Sequence, residues 1–185
     1  MTAWGHEADI PRDWRDRLLA VGTRSVLFGA HQFLLHPLCL FLAWWRLYGF
    51  PADPRLWVVF FAHDLGYWGL RDLDGDAGQL HPAWGGALVG RWFGRAWGDL
   101  CLGHSRYYAQ RVGIPVSKLM RADKYATCLM PLWLYVALVW LSGEYKEYII
   151  IHGKSGAQFP PTLLGWARCM RADWLAAYGP GAGGA

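Results

Sequence analysis

At 185 residues the chain has the length of one domain and is large enough to bury a real core. Hydrophobic residues make up 54% of it and charged residues 17%, with 13 tryptophans that can fill a core or line a pocket for a flat ligand. The net charge of +4 suits an anionic substrate, but no dense Lys/Arg block is present, which argues against stable nucleic-acid binding and against an anionic membrane surface.

In chain order the punctuation predicts an all-α fold. The N-terminus, with Glu7, Asp9, Arg12 and Asp13, lacks the short apolar core of a signal peptide. Pro11 to about Val21 reads as a short amphipathic helix, and Ala30 to Tyr48 as an apolar, aromatic helix stopped by Gly49. Asp53-Pro54 is a cap followed by proline at the first helical position, and the helix it opens ends near His63. Residues 66 to 80, with Gly66, Gly69, Gly75 and Gly78 among Asp72, Asp74 and Asp76, read as a loop. The acidic run lacks the glutamate that ends a calcium loop, since Ala83 stands there, so a solvated turn is expected. Further helices are expected from His81-Pro82 to about Phe93, from about Trp97 to Val112, from Pro115 and Ser117 through Asp123, and from about Pro161 to Tyr178. Together these make one compact helical domain over 1–178, with Gly179 to Ala185 as a flexible, glycine-rich tail.

Tyr125 to Ser142, YATCLMPLWLYVALVWLS, is uncharged and reaches the lower edge of a membrane-span signal. Pro131 inside it, and Asp123-Lys124 just before it, favour a buried central helix instead, so no membrane is expected. Cys39, Cys101, Cys128 and Cys169 show no CxxC spacing and sit in apolar segments, as reduced structural thiols of a cytoplasmic protein do. Exposed tryptophans would favour a homo-oligomer.

The chemistry lies in one ordered series: His36, His63-Asp64, His81, His104 and Asp123. The apolar run Leu56 to Ala62 ends by presenting an imidazole and a carboxylate side by side before Gly66. Both are ligands that zinc, manganese and iron accept, and their separation in the chain implies a pocket built by packing several helices. His31, five residues before His36, is the rival for the first ligand and otherwise a core or supporting histidine. His6 and His152 read as surface or structural.

The series resembles the HD-domain superfamily of metal-dependent phosphohydrolases. AHDLGYWG, HPAWGGALVG, CLGHSRYYAQ and RADKYA carry the resemblance, over roughly Ala30 to Ala126. It implies an all-helical bundle in which His36, His63, Asp64 and Asp123 hold one divalent metal. The two further histidines resemble the binuclear branch, where Asp64 would bridge and His81 and His104 would hold a second ion. The implied cofactor is one or two ions of Mn, Fe, Zn or Co. The run at His81-Pro82 and Gly85 resembles the cyclic-dinucleotide phosphodiesterase branch, but the GYP signature of that branch is missing. Where many relatives have a lysine three residues after the HD aspartate, this chain has Tyr67, which can donate a hydrogen bond but carries no charge.

The expected reaction is hydrolysis of a nucleotide or other small phosphate ester by a metal-activated hydroxide held by Asp64 and the histidines. His104 or Tyr67 would assist the leaving group. Arg106, Lys118 and Lys124 are the candidate phosphate clamps. Lys124 lies about 100° around an ideal helix from Asp123, which sets Arg106 and Lys118 at least level with it. Trp68, Trp84, Tyr107 and Tyr108 flank the ligands in sequence and could either stack a base or pack in the core. Two other readings stay open: a di-iron oxygenase built on the same ligand order, and a non-catalytic nucleotide-binding module.

Overall fold

The computed structural model describes residues 13–148 and 162–182. His6 and His152 therefore lie outside the described residues. Within them the fold is all-helical, with no strand. The helices are α1 Trp14–Leu19, α2 Val21–Phe28, α3 Leu35–Tyr48, α4 Pro54–Ala62, α5 Pro82–Phe93, α6 Arg95–Leu102, α7 Arg106–Val112, α8 Lys118–Leu129, α9 Leu132–Ser142 and α10 Leu163–Tyr178. Short 3-10 turns occupy Leu65–Tyr67 and Gly78–Leu80 inside the predicted loop.

Several boundaries follow from local chemistry. The Asp53 carboxylate accepts from the Arg55 amide at 2.9 Å, and Pro54 fills the first turn of α4, where a missing N–H costs nothing. Thr162 caps α10 through the Gly165 amide, and Ser105 caps α7 through the Tyr108 amide. Gly94, at φ 90°, ends α5 and turns directly into α6, a conformation that favours glycine.

Elsewhere the structure corrects the expectations. The helix expected over Ala30–Tyr48 starts only at Leu35, and Val21–Phe28 forms a helix that the sequence did not announce. The span from Trp97 to Val112 is two helices separated at Gly103-His104-Ser105. Gly103 ends α6 and lies against the chain at Pro115, where a Cβ would come within 2.8 Å of the Pro115 carbonyl, and its own carbonyl accepts from the Ser117 amide at 2.9 Å. The apolar stretch is not one buried central helix. Met130 is extended before Pro131, as residues preceding proline are, and α8 and α9 meet at 102°. Only one face of α9 is buried, through Tyr135, Val139 and Ser142, while Trp133 and Trp140 stand more than half exposed. Among the described residues no single helix is long and apolar enough to cross a membrane, although the bent pair α8–α9 has the length and composition. The four cysteines are free thiols.

The core comes in three parts. The largest joins Leu40 and Ala43 of α3, Val59 and Phe60 of α4, Val89 of α5, Cys101 of α6, and Leu119, Ala122 and Ala126 of α8. A second lies between α9 and α10, around Met130, Val139 and Trp166. A third, around Val26, Tyr67 and Leu73, underlies the loop after α4. Glu144, wholly buried, ties α9 to the turn ahead of α3. Its carboxylate accepts from the Ala30 amide at 2.9 Å and from the Ser142 and Tyr148 hydroxyls, both at 2.7 Å.

The α4–α5 crossing positions the functional residues. A Cβ on Gly85 would stand 2.4 Å from the Ala62 carbonyl and 3.2 Å from His63 Cα. Gly85→Ala must therefore push α5 away from the end of α4, against backbone that cannot yield. The expected outcome is a loss of about 1–3 kcal/mol of stability by denaturant unfolding. An unchanged midpoint would show that the close approach is not required.

Candidate metal centre

Each residue of the ordered series sits at a helix terminus or break, except Asp123. His36 lies in the first turn of α3, and His63-Asp64 follow the last residue of α4. His81 is the N-cap of α5, His104 falls in the gap between α6 and α7, and Asp123 stands midway along α8. All six are buried.

They converge on the Asp64 carboxylate, and its two oxygens face different partners. Oδ2 lies 3.1 Å from His63 Nε2 and 3.4 Å from His36 Nε2. Oδ1 lies 3.4 Å from His104 Nε2 and 3.5 Å from His81 Nε2. Asp123 Oδ1 joins the first side, 3.0 Å from His36 Nε2 and 3.7 Å from His63 Nε2. The result is two groups that share Asp64, His36–His63–Asp64–Asp123 and Asp64–His81–His104, each with its donor atoms within 4.8 Å of one another.

The imidazoles are oriented by backbone. His63 Nδ1 lies 2.9 Å from the Phe60 carbonyl, His81 Nδ1 2.7 Å from that of Gly78, and His104 Nδ1 2.6 Å from that of Cys101. Each carbonyl belongs to the residue three positions earlier. A carbonyl can only accept, so each Nδ1 carries a proton, and Nε2 faces inward, where it offers a lone pair whenever the ring is neutral.

This arrangement fits a cation. His81 Nε2 and His104 Nε2 face each other at 2.9 Å, although both rings already spend their proton at Nδ1. His36 Nε2 and His63 Nε2 stand 3.3 Å apart. Asp64 Oδ2 is buried without a hydrogen bond of its own, an omission that buried carboxylates rarely show. The buried His/Asp groups could therefore hold a metal ion, and nitrogen and carboxylate donors are those that divalent transition metals accept.

Charge follows the same division. Burial opposes a charge on His63, but Asp64 and Asp123 overcome it and lift its pKa from 6.5 to about 10. Burial would raise Asp64, yet His63 and His31 bring it well below the usual carboxylate value; Lys124 and His36 do the same for Asp123. Burial and the neighbouring His104 push His81 well below 6.5 and keep it neutral.

Above the centre opens a cavity of about 390 Å³. Tyr67 lines it, its ring stacked on His81 at 3.9 Å and 15°. Lys124 lines it too: its long side chain folds back so that Nζ stands 3.1 Å from Asp123 Oδ2, which the helical angle between the two backbones did not suggest. Arg106 is on the wall, donating to the Tyr178 hydroxyl. Lys118 is not part of the lining, and its ammonium lies over the Tyr48 ring at 5.5 Å. His31 belongs to neither ligand group; it lines the cavity with Nδ1 2.7 Å from the Ser25 hydroxyl.

Of the aromatic set, Tyr107 reaches the cavity, while Trp68 and Trp84 are exposed away from it. Trp174 and Tyr178 of α10 line it unannounced, as do Asp74 and Gln79 from the loop. Only their i, i+4 spacing marks Trp174 and Tyr178 as sharing a face, and nothing in the sequence says which cavity that face meets. The acidic turn holds itself together, with Asp72 accepting from the Gly78 amide and Glu147 accepting from the Leu73 and Asp74 amides. No family model, curated protein or solved structure matches the chain.

A metal at His63 must displace the proton that the carboxylates hold there. Near neutral pH, well below a value of about 10, calorimetric titration with Mn²⁺ in two buffers of different ionisation enthalpy should show about one proton released for the ion that His63 binds. Identical heats in both buffers would contradict the placement of that proton. In the metal-free protein the raised His63 value adds stability in full below 6.5 and loses it as pH climbs through about 10. Asp64 and Asp123, held low, add stability above their ordinary value of 3.8 and lose it as pH falls. Unfolding midpoints of chelator-treated protein should therefore be highest between these limits.

Proposed function

We propose that the chain is an HD-type, metal-dependent phosphohydrolase acting on a nucleotide or another small phosphate ester. The observation that carries this reading is the Asp64 carboxylate, divided between two pairs of imidazoles at the foot of a cavity with lysine and arginine on its wall. His36, His63, Asp64 and Asp123 would hold one ion and Asp64, His81 and His104 a second. Mn, Fe, Zn or Co in those places would supply Lewis acidity toward water and toward the phosphate oxygens.

The chain's own residues supply the rest. Lys124 and Arg106 bring positive charge to where a phosphate would lie. Lys124 stays charged, since Asp123 outweighs the burial that opposes it. Tyr67 stays protonated at neutral pH, because burial and then Asp64 push its phenol well above 10; it can donate a hydrogen bond to a phosphate or to the leaving oxygen. His104 is less suited to that task, because its Nδ1 is committed to the Cys101 carbonyl and its Nε2 to the centre. The complete set of buried ligands supports an enzyme over a non-catalytic module.

Two measurements test the reading. Protein purified without chelators or a histidine tag should contain about two equivalents of metal by plasma mass spectrometry, and His81→Ala should keep the ion of the His36–Asp123 group and lose the other. Asp64→Ala should abolish phosphate release, by at least about 10³-fold, while leaving helicity by circular dichroism largely intact. Unchanged turnover in Asp64→Ala would sink the mechanism. Oxygen uptake by anaerobically prepared, iron-loaded protein without phosphate release would replace it with the oxygenase.

A further inference from the structure

We infer that the wall built by α10 selects phosphate esters that carry a flat aromatic group, a nucleobase above all, and that Trp174, Tyr178 and Tyr107 are its specificity-determining residues; this rests on the phosphohydrolase reading. Trp174 and Tyr178 lie one helical turn apart on the same face of α10, and both line the cavity. Tyr107, in the first turn of α7, adds a third ring and is 41% exposed. Trp174 and Tyr178 pack against the core with part of their surface and line the cavity with the rest.

The wall is set before any ligand arrives. The Lys124 ammonium lies over the Trp174 ring at 5.1 Å, and the Arg106 guanidinium lies over the Tyr178 ring at 5.4 Å while donating to its hydroxyl. Arg121 fixes the end of the same helix from beneath. It donates to the carbonyls of Tyr178 at 3.1 Å, Gly179 at 2.7 Å and Ala182 at 3.1 Å. Each cation covers one face of its ring, so a flat group meets the remaining ring surface that lines the cavity, on rings that lose little freedom when it does.

The wall is also registered to the centre. One ammonium touches Asp123 Oδ2 at 3.1 Å and the face of Trp174, so the aromatic wall begins where the ligand carboxylate ends. A phosphate seated beside Lys124 would carry its organic part toward Trp174 and Tyr178. A base gains stacking on such rings, worth roughly five- to a hundredfold in affinity, whereas a bare sugar or polyol phosphate presents no flat face to stack.

The test separates this inference from the reaction on which it rests. Saturation-transfer NMR with adenosine and with ribose, neither of which has a phosphate, reads the wall without turnover. The wild type should bind adenosine and not ribose, and Trp174→Leu and Tyr107→Ala should each lose the adenosine signal. With AMP and ribose 5-phosphate as substrates, Tyr107→Ala should raise KM for AMP about tenfold at nearly constant kcat, leave ribose 5-phosphate unchanged, and keep the wild-type metal content, whereas Trp174→Leu also removes the ring beneath Lys124 and is read by adenosine binding alone. Trp174 also packs against the core, so Tyr107→Ala at the rim carries the test if Trp174→Leu fails to fold. Equal losses for AMP and ribose 5-phosphate in Tyr107→Ala, or an adenosine signal unchanged in both variants, would overturn the inference. Adenosine binding lost in the variants, with no phosphate released from either ester by the wild type, would keep the wall and discard the phosphohydrolase.

Discussion

The rest of the structure is arranged around one buried carboxylate. Asp64 offers one oxygen to His36 and His63 and the other to His81 and His104. A carboxylate removed from water is costly unless charge or hydrogen bonds replace its hydration, and here no hydrogen bond reaches Oδ2. What compensates is a shell of imidazoles, with Asp123 and Lys124 completing the charge pattern behind them. Such a shell is held only if α3, α4, α5, the α6–α7 gap and α8 all meet at one point. That requirement explains the close approach of Gly85 to Ala62 and the dense core on the far side of the ligands.

Helix ends are what make the shell possible. A helix leaves its last carbonyls with acceptor capacity to spare, and the carbonyls of Phe60 at the end of α4 and Cys101 at the end of α6 hold histidine Nδ1. The 3-10 turn before α5 does the same for His81. The same i−3 geometry recurs three times, so the inward lone pairs owe less to long-range packing than to where each helix stops. The breaks at His63, His81 and His104 are therefore parts of the site, not interruptions of the fold.

This explains what could be read from the sequence and what could not. The candidate ligands were legible because histidine and aspartate in that order, next to caps such as Asp53-Pro54 and starts such as His81-Pro82, are local signals. The starts of α4, α5 and α10 and the stop at Gly49 were legible for the same reason. The gap at Gly103–Ser105 was not, because it depends on Gly103 meeting Pro115. The bend at Met130-Pro131 had its proline in view, but its 102° angle comes from burying α9 against α2 and α10. Lys124 was misjudged because a helical wheel places backbones, while a four-carbon side chain can fold back toward its neighbour. Nothing local said what Glu144, Trp174 and Tyr178 do, since their meaning lies in partners 50 or more residues away in the chain.

Lys124 links the two halves of the pocket, and its position carries a consequence for the proposed chemistry. The same ammonium holds Asp123 Oδ2 and covers Trp174. Held there, it keeps the second oxygen of Asp123 turned away from the histidines and leaves Oδ1 as the donor toward His36. A phosphate arriving beside Lys124 competes with Asp123 for that ammonium. In the proposed reaction, substrate binding would alter the donor set of the centre through a single side chain, and the strength of the Asp123–Lys124 pair would set how much. Asp123 is buried while the Lys124 side chain is 35% exposed to the cavity side, so the exchange is favourable for a ligand that brings its own negative charge to the ammonium. A neutral ligand would gain the aromatic wall but could not draw Lys124 from Asp123, which ties the selection of a flat group and the demand for a phosphate to the same residue.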